Sequence, residues 1–179
     1  MLGAMRRLST LLVALSALLL AAAPAPASAG TGGGGWVPAP SAPFDMPAGA
    51  RCDFPIHSEP VVDEVRTRVL ATYPDGSTRR EAYVGDLVVR ITNTASGGSV
   101  DVDLSGSAVV DYRPGGTLIT NSTWHLAGPA MFGFREGGGD HPRGLWVFDG
   151  LYTIDFGPTS YKTVTIYHGT EHDVCTDLD

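Results

Sequence analysis

Lysine is nearly missing from this chain of 179 residues: Lys162 stands alone, and arginine supplies every other of the 12 basic residues. Cysteine occurs twice, and charged residues make up only 17% of the chain. Positive charge is also short, with 12 Lys and Arg against 19 Asp and Glu for a formal net charge of −7. That balance excludes nucleic acid or an anionic lipid surface as the main partner. No CxxC pair supports redox chemistry and no GxSxG supports a serine nucleophile. No second hydrophobic stretch follows the one at the N-terminus, so nothing in the remainder reads as a membrane helix. The bias to Arg, Gly and Ala suits a GC-rich genome, and the length suits one domain with a tail.

What is present begins with an address. Arg6 and Arg7 precede the uncharged run Leu8 to Ala23, and Ala27, Ser28 and Ala29 offer the small-x-small pattern of a leader peptidase site. Residues 1–29 are therefore expected to be a signal peptide, cleaved after Ala29 and sent by general secretion rather than the twin-arginine route. Its loss takes Arg6 and Arg7 with it and moves the net charge from −7 to −9. The expected product is acidic, secreted and free of the membrane. Residues 30–50, rich in Gly and Pro, with Trp36 and Phe44 isolated, read as a disordered tail.

The folded domain is expected over 51–179. Cys52 and Cys175 lie near its two ends, and in an exported chain their one possible pairing is with each other, the competing reading being a pair of free thiols. Between them the dominant period is two. Val100, Val102, Leu104, Gly106, Ala108, Val110 and Tyr112 share one face opposite Asp101, Asp103, Ser105, Ser107 and Asp111, with a bend expected at Gly106. Leu87, Val89 and Ile91 mark another strand, as do Val61 to Tyr73, Tyr152 to Phe156, and Val164 with Ile166. Turn clusters at 74–77, 95–98, 114–116 and 149–150 suggest hairpins joining successive strands. The fold class is all-β, with an up-and-down antiparallel barrel of about 8–10 strands expected and a two-sheet sandwich as the alternative.

The segments CDFP, ITNTASGGSVDVDLSG, AGPAMFGF and DVC, spread over residues 52 to 175, resemble a family of small exported actinobacterial proteins. The resemblance implies an exported β-protein with an end-to-end disulfide, and it assigns no catalytic residue.

Three constellations bear on function. His168, Glu171 and His172 are the nearest approach to a metal site, although positions four apart on an extended strand are too distant to chelate without a turn at Gly169. Residues 130–134 (AMFGF) and 145–148 (LWVF) are apolar on both faces, so both sides require cover: the tail, neighbouring loops, a partner or an apolar ligand. The loop 135–144 between them carries three glycines with Arg135, Glu136, Asp140, His141 and Arg143. A binding surface is expected to use Arg135, His141 and Arg143 with Phe134 and Trp146 beneath, and Trp124 with Thr120 and Ser122 as a possible cavity lining. The leading expectation is an exported non-catalytic barrel, without cofactor, that binds a small apolar ligand or an extracellular protein. The alternatives are a metal-dependent or acid–base enzyme near the C-terminal histidines and a structural cell-wall protein.

Overall fold

The computed structural model describes residues 34–178; the expected leader, residues 1–29, lies outside them. The described residues form twelve strands: β1 (Val37–Pro38), β2 (Phe44–Met46), β3 (Ile56–Asp63), β4 (Arg66–Thr72), β5 (Thr78–Val84), β6 (Leu87–Asn93), β7 (Ser99–Asp103), β8 (Ser107–Thr117), β9 (Thr120–Ala127), β10 (Ala130–Phe134), β11 (Gly144–Phe156) and β12 (Lys162–Asp173). A 3-10 turn at Val174–Asp177 follows. The larger sheet runs β1-β4-β5-β8-β9-β11, with β10 beside β9 on the same edge of β11 and β12 along the other edge. The smaller sheet runs β2-β3-β6-β7. All twelve strands pair antiparallel, which confirms the all-β class.

The expected closed barrel is not formed. Among the described residues β12 pairs only with β11 and β1 only with β4, and the strands divide between two sheets in a sandwich-like arrangement. The division runs through the long strands themselves. The chain passes between sheets at Glu64–Val65, Gly85–Asp86 and Leu104–Gly106, so β3-β4, β5-β6 and β7-β8 are three long strands folded in the middle. Neighbours in sequence remain neighbours in space, as in a meander, but each folded strand serves both layers. The bend expected at Gly106 is one of these corners. Alternation of apolar and polar residues is the same on either side of a corner, which is why a period of two suggested one continuous sheet.

Glycine lines up along the crease. A side chain at Gly85 would collide with the backbone of Glu64, one at Gly106 with the carbonyl of Pro129, and one at Gly128 would press on the Cα of Gly106. The Gly128 N–H donates to the Gly150 carbonyl at 2.9 Å, and Gly150 pairs directly with Gly169 across β11 and β12. Gly150 and Gly169 take φ of +127° and +149°, which side-chain-bearing residues rarely adopt. Asp149-Gly150, read above as a hairpin turn, is thus a kink inside β11, followed by a register shift between Leu151 and Tyr152.

Two apolar clusters fill the interior. One joins the smaller sheet to the start of β11 and the C-terminal turn through Ile56, Val89, Ile91, Leu104, Leu145 and Val174. The other lies within the curl of the larger sheet and gathers Leu126, Phe134, Phe148, Tyr152, Ile154 and Phe156. The β10–β11 hairpin is the wall between them, with Met131, Leu145 and Val147 on one side and Phe132, Phe134, Trp146 and Phe148 on the other. The protein's own sheets therefore pack against both faces of that apolar hairpin, leaving Met131 and Phe132 partly exposed.

Cys52 and Cys175 are bridged across a sequence separation of 123, with Cα atoms 5.4 Å apart. The bridge ties the segment before β3 to the C-terminal turn. The segment expected as disordered contributes two edge strands: β1 pairs with β4, and β2 pairs with β3. Trp36 is held with the Arg68 guanidinium 5.0 Å above its ring. Prolines pre-set an extended backbone, and a donor-less residue such as Pro38 is tolerated at a sheet edge.

Candidate functional site

Where the larger sheet curls, its opening is not filled. A cleft of about 430 Å³ is bordered by Leu118 and Ile119 at the β8–β9 turn, by Trp124, Met131, Phe132 and Phe156, and by Arg51, Arg135 and Lys162. Its size falls in the range of small-molecule sites. The floor is aromatic. Trp124 stands edge-on to Phe132 with centroids 5.7 Å apart, and Phe156 lies 6.2 Å from Phe132. Trp124 is fixed on its other side by Tyr83, stacked at 5.9 Å, and its indole N–H donates to the Leu118 carbonyl at 2.8 Å. The same carbonyl accepts from the buried Ser122 hydroxyl at 3.1 Å, so the β8–β9 turn is pinned to the floor beneath it. Behind Trp124 a second, apolar void of about 130 Å³ opens between the sheets, lined by Tyr83, Leu87, Leu104, Leu126 and Ala130.

The three cations reach the cleft from separate segments: Arg51 from the residue before the bridged Cys52, Arg135 from the end of β10, Lys162 from the start of β12. Among the described residues none of the three is ion-paired. Arg51 lies across β10 at Gly133, where a methyl group would fall 2.6 Å from its Nε. That Nε is buried without a protein acceptor, while another guanidinium nitrogen donates to the Ala50 carbonyl at 2.6 Å. The Lys162 Nζ sits 5.1 Å over the Phe134 ring and 5.6 Å over Phe156. Burial and the neighbouring Arg51 and Arg135 push the Lys162 ammonium below its ordinary value; burial and Arg135 do the same to Arg51.

The glycine-rich loop closes onto the same corner. It is docked along its length: Lys162 N–H donates to the Gly138 carbonyl at 3.1 Å, Asp140 N–H to the Lys162 carbonyl at 3.0 Å, and Val164 N–H to Asp140 Oδ2 at 2.8 Å. His141 enters the interior, its ring about 5 Å from those of Phe134, Trp146 and Phe148. Its Nδ1 lies 2.8 Å from Asp140 Oδ1 and its Nε2 3.1 Å from Glu171 Oε2. A neutral imidazole has one N–H, so satisfying both carboxylates takes the protonated ring. Burial opposes that charge, but the hydrogen bonds to Asp140 and Glu171 outweigh it and raise the His141 pKa.

Of the residues singled out from the sequence, Trp124 and Arg135 line the cleft, and Phe134 lies buried under Lys162. His141 and Trp146 instead hold the loop, the indole N–H donating to the Pro142 carbonyl at 3.1 Å. Arg143 binds the Cys52 carbonyl at 3.1 Å and pairs with Asp53. His168, Glu171 and His172 do not converge: Glu171 meets His141, His172 meets Asp177 at 2.8 Å, and His168 lies opposite Leu151. No group of three or more His, Cys, Asp or Glu able to hold a metal occurs among the described residues. Arg51, Ile119 and Lys162 were not placed in a site by sequence reasoning, and Met131 and Phe132 entered it only as part of the two-sided apolar segment 130–134. The one available signal was the solitude of Lys162 in an arginine-rich chain.

Comparison with family models, curated proteins and solved structures finds no match, and nothing there bears on the resemblance to small exported actinobacterial proteins. The bridge fits an oxidising compartment, and no helix among the described residues is long and apolar enough to cross a membrane.

Proposed function

We propose that the protein is an exported, non-catalytic β-sandwich that binds a small apolar ligand in the cleft over Trp124 and Phe132. The observation that carries this reading is the cleft of about 430 Å³ with an aromatic floor, held open by rings that are themselves packed from behind. A core that closed on itself would have buried those rings, since apolar surface left in water forfeits about 25 cal/mol per Å². Export is supported by the basic, apolar, small-x-small N-terminus and by the disulfide.

Neutral N-phenylnaphthylamine, which fluoresces in apolar surroundings, is the probe of choice. The mature protein should take it up saturably with one-to-one stoichiometry. Ile119, 59% exposed at the lip, can be changed without touching the core. Ile119→Ser together with Leu118→Ser should weaken uptake about tenfold, near 1.4 kcal/mol. Absence of saturable uptake, or uptake equal in the variant, would contradict the reading.

A further inference from the structure

We propose that the ligand is an amphiphilic anion, a single apolar chain with an oxyanion head, whose head is held by Arg51, Arg135 and Lys162 while its chain lies on Trp124, Phe132 and Met131. This rests on the cleft being a ligand site and specifies what the site selects. Three observations lead to it. First, the chain carries a formal net charge of −7, yet three cations meet at one apolar opening with no carboxylate in its lining. Elsewhere the chain does place acids against arginine, Arg80 gripping Asp111 at 2.6 and 2.7 Å and Arg90 gripping Asp101 at 2.7 and 2.8 Å. Arg66, Arg68 and Arg79 also have no ion pair among the described residues, but they stand apart from the cleft lining. A shortage of acids is not the reason the trio is bare.

Second, Lys162 and Arg51 are held in place at the expense of their own charge. Each member lies near like charge, and Lys162 and Arg51 are partly buried besides, which lowers both their pKa values. An oxyanion seated among them would oppose the like-charge repulsion and match the planar fork of each guanidinium through its outer nitrogens. Third, the polarity is one-sided. Cations occupy the side formed by residues 51, 135 and 162, and the rest of the lining is largely apolar, with Trp124 also bordering the void between the sheets. A molecule with one charged end and one apolar end fits that division; a neutral apolar molecule leaves the cations unmet, and a small free anion leaves the rings in water.

The test is competition against bound N-phenylnaphthylamine by four compounds: dodecanoate, dodecyl phosphate, dodecanol and acetate. Dodecanoate or dodecyl phosphate should displace the probe at least tenfold more effectively than dodecanol, acetate should not displace it, and the advantage should shrink with added salt. The better of the two anions identifies the head as carboxylate or phosphate. In Arg135→Gln/Lys162→Gln the neutral probe should still bind and the acid-over-alcohol preference should vanish. Because Lys162 is the only lysine, reductive methylation with labelled formaldehyde gives one side-chain NMR signal. Its titration should move upward in pH when the anion is bound. Equal displacement by dodecanoate, dodecyl phosphate and dodecanol overturns this proposal while leaving the apolar cleft intact. A preference that survives the double variant, or a Lys162 signal that the anion does not move, also overturns it. Failure of the probe and of every amphiphile to bind overturns both readings.

Discussion

Two groups of cations contrast in this molecule, and Arg66, Arg68 and Arg79, without an ion pair among the described residues, belong to neither. On the outer faces Arg80, Arg90, Arg113 and Arg143 each hold an aspartate; the pairs with Asp111 and Asp101 link neighbouring strands, and the pair with Asp155 reaches across β9 from β8 to β11. At the cleft, Arg51, Arg135 and Lys162 lie within reach of one another's charge, and Lys162 sits over aromatic rings instead of a carboxylate. The first arrangement is what folding alone favours, since an exposed pair gains a little and costs little. In the second, burial and neighbouring like charge disfavour the charged forms of Lys162 and Arg51. Residues that weaken the fold where they stand are characteristic of sites shaped for binding.

The most severe way to break the comparison is to release the scaffold behind Arg51. Replacing Cys52 and Cys175 by Ser removes a bridge across 123 residues, worth about 4–5 kcal/mol in the chain-entropy model, and should lower the melting temperature by more than about ten degrees. Scanning calorimetry should show that loss together with weakened probe uptake. A smaller fall, of about 1–3 kcal/mol, is expected from Gly150→Ala by chemical denaturation, because the residue takes positive φ and would collide with the His168 carbonyl.

The loop that carries Arg135 should respond to pH. The folded-state pKa of His141 is raised, so its contribution to stability is complete below the unfolded value of about 6.5 and is lost as pH rises through the folded value. Hydrogen exchange at the Val164 and Asp140 amides should therefore show the loop protected below about pH 6.5 and loosened as pH rises through the folded value, after correction for intrinsic exchange, and His141→Gln should flatten that dependence. The least effect belongs to the outer pairs. Arg80→Gln should cost about 0.5 kcal/mol or less by urea denaturation and leave amphiphile binding unchanged, because Asp111 remains solvated.

Much of the scaffold was legible before the structure. Alternation identified the buried faces of Val89 and Ile91, of Ala108, Val110 and Tyr112, and of Tyr152, Ile154 and Phe156. Export logic paired the cysteines. What escaped was the folding of single strands between two sheets, because a corner at Gly85 or Gly106 leaves the period of two untouched, and a kink at Asp149-Gly150 carries the same residues as a hairpin turn. The cleft escaped for a related reason. Arg51 and Lys162 lie over a hundred positions apart, and only the curl of the sheet with the docked loop brings them to one opening. The loop's charges drew attention to His141 and Arg143, whose hydrogen bonds instead hold the loop itself and the backbone beside the bridge.

The central claim, that the bare cations exist for a ligand and not for the fold, is tested most directly by the melting midpoint of Lys162→Met with and without dodecanoate. Methionine keeps the apolar stem over Phe134 and Phe156 and the backbone bonds to the loop, while removing a charge disfavoured by burial and by Arg51 and Arg135. The account predicts a midpoint equal to or above that of the wild type, together with loss of most of the rise that dodecanoate gives the wild type by mass action. A lower midpoint with an undiminished rise would show that Lys162 serves the fold and would contradict the account.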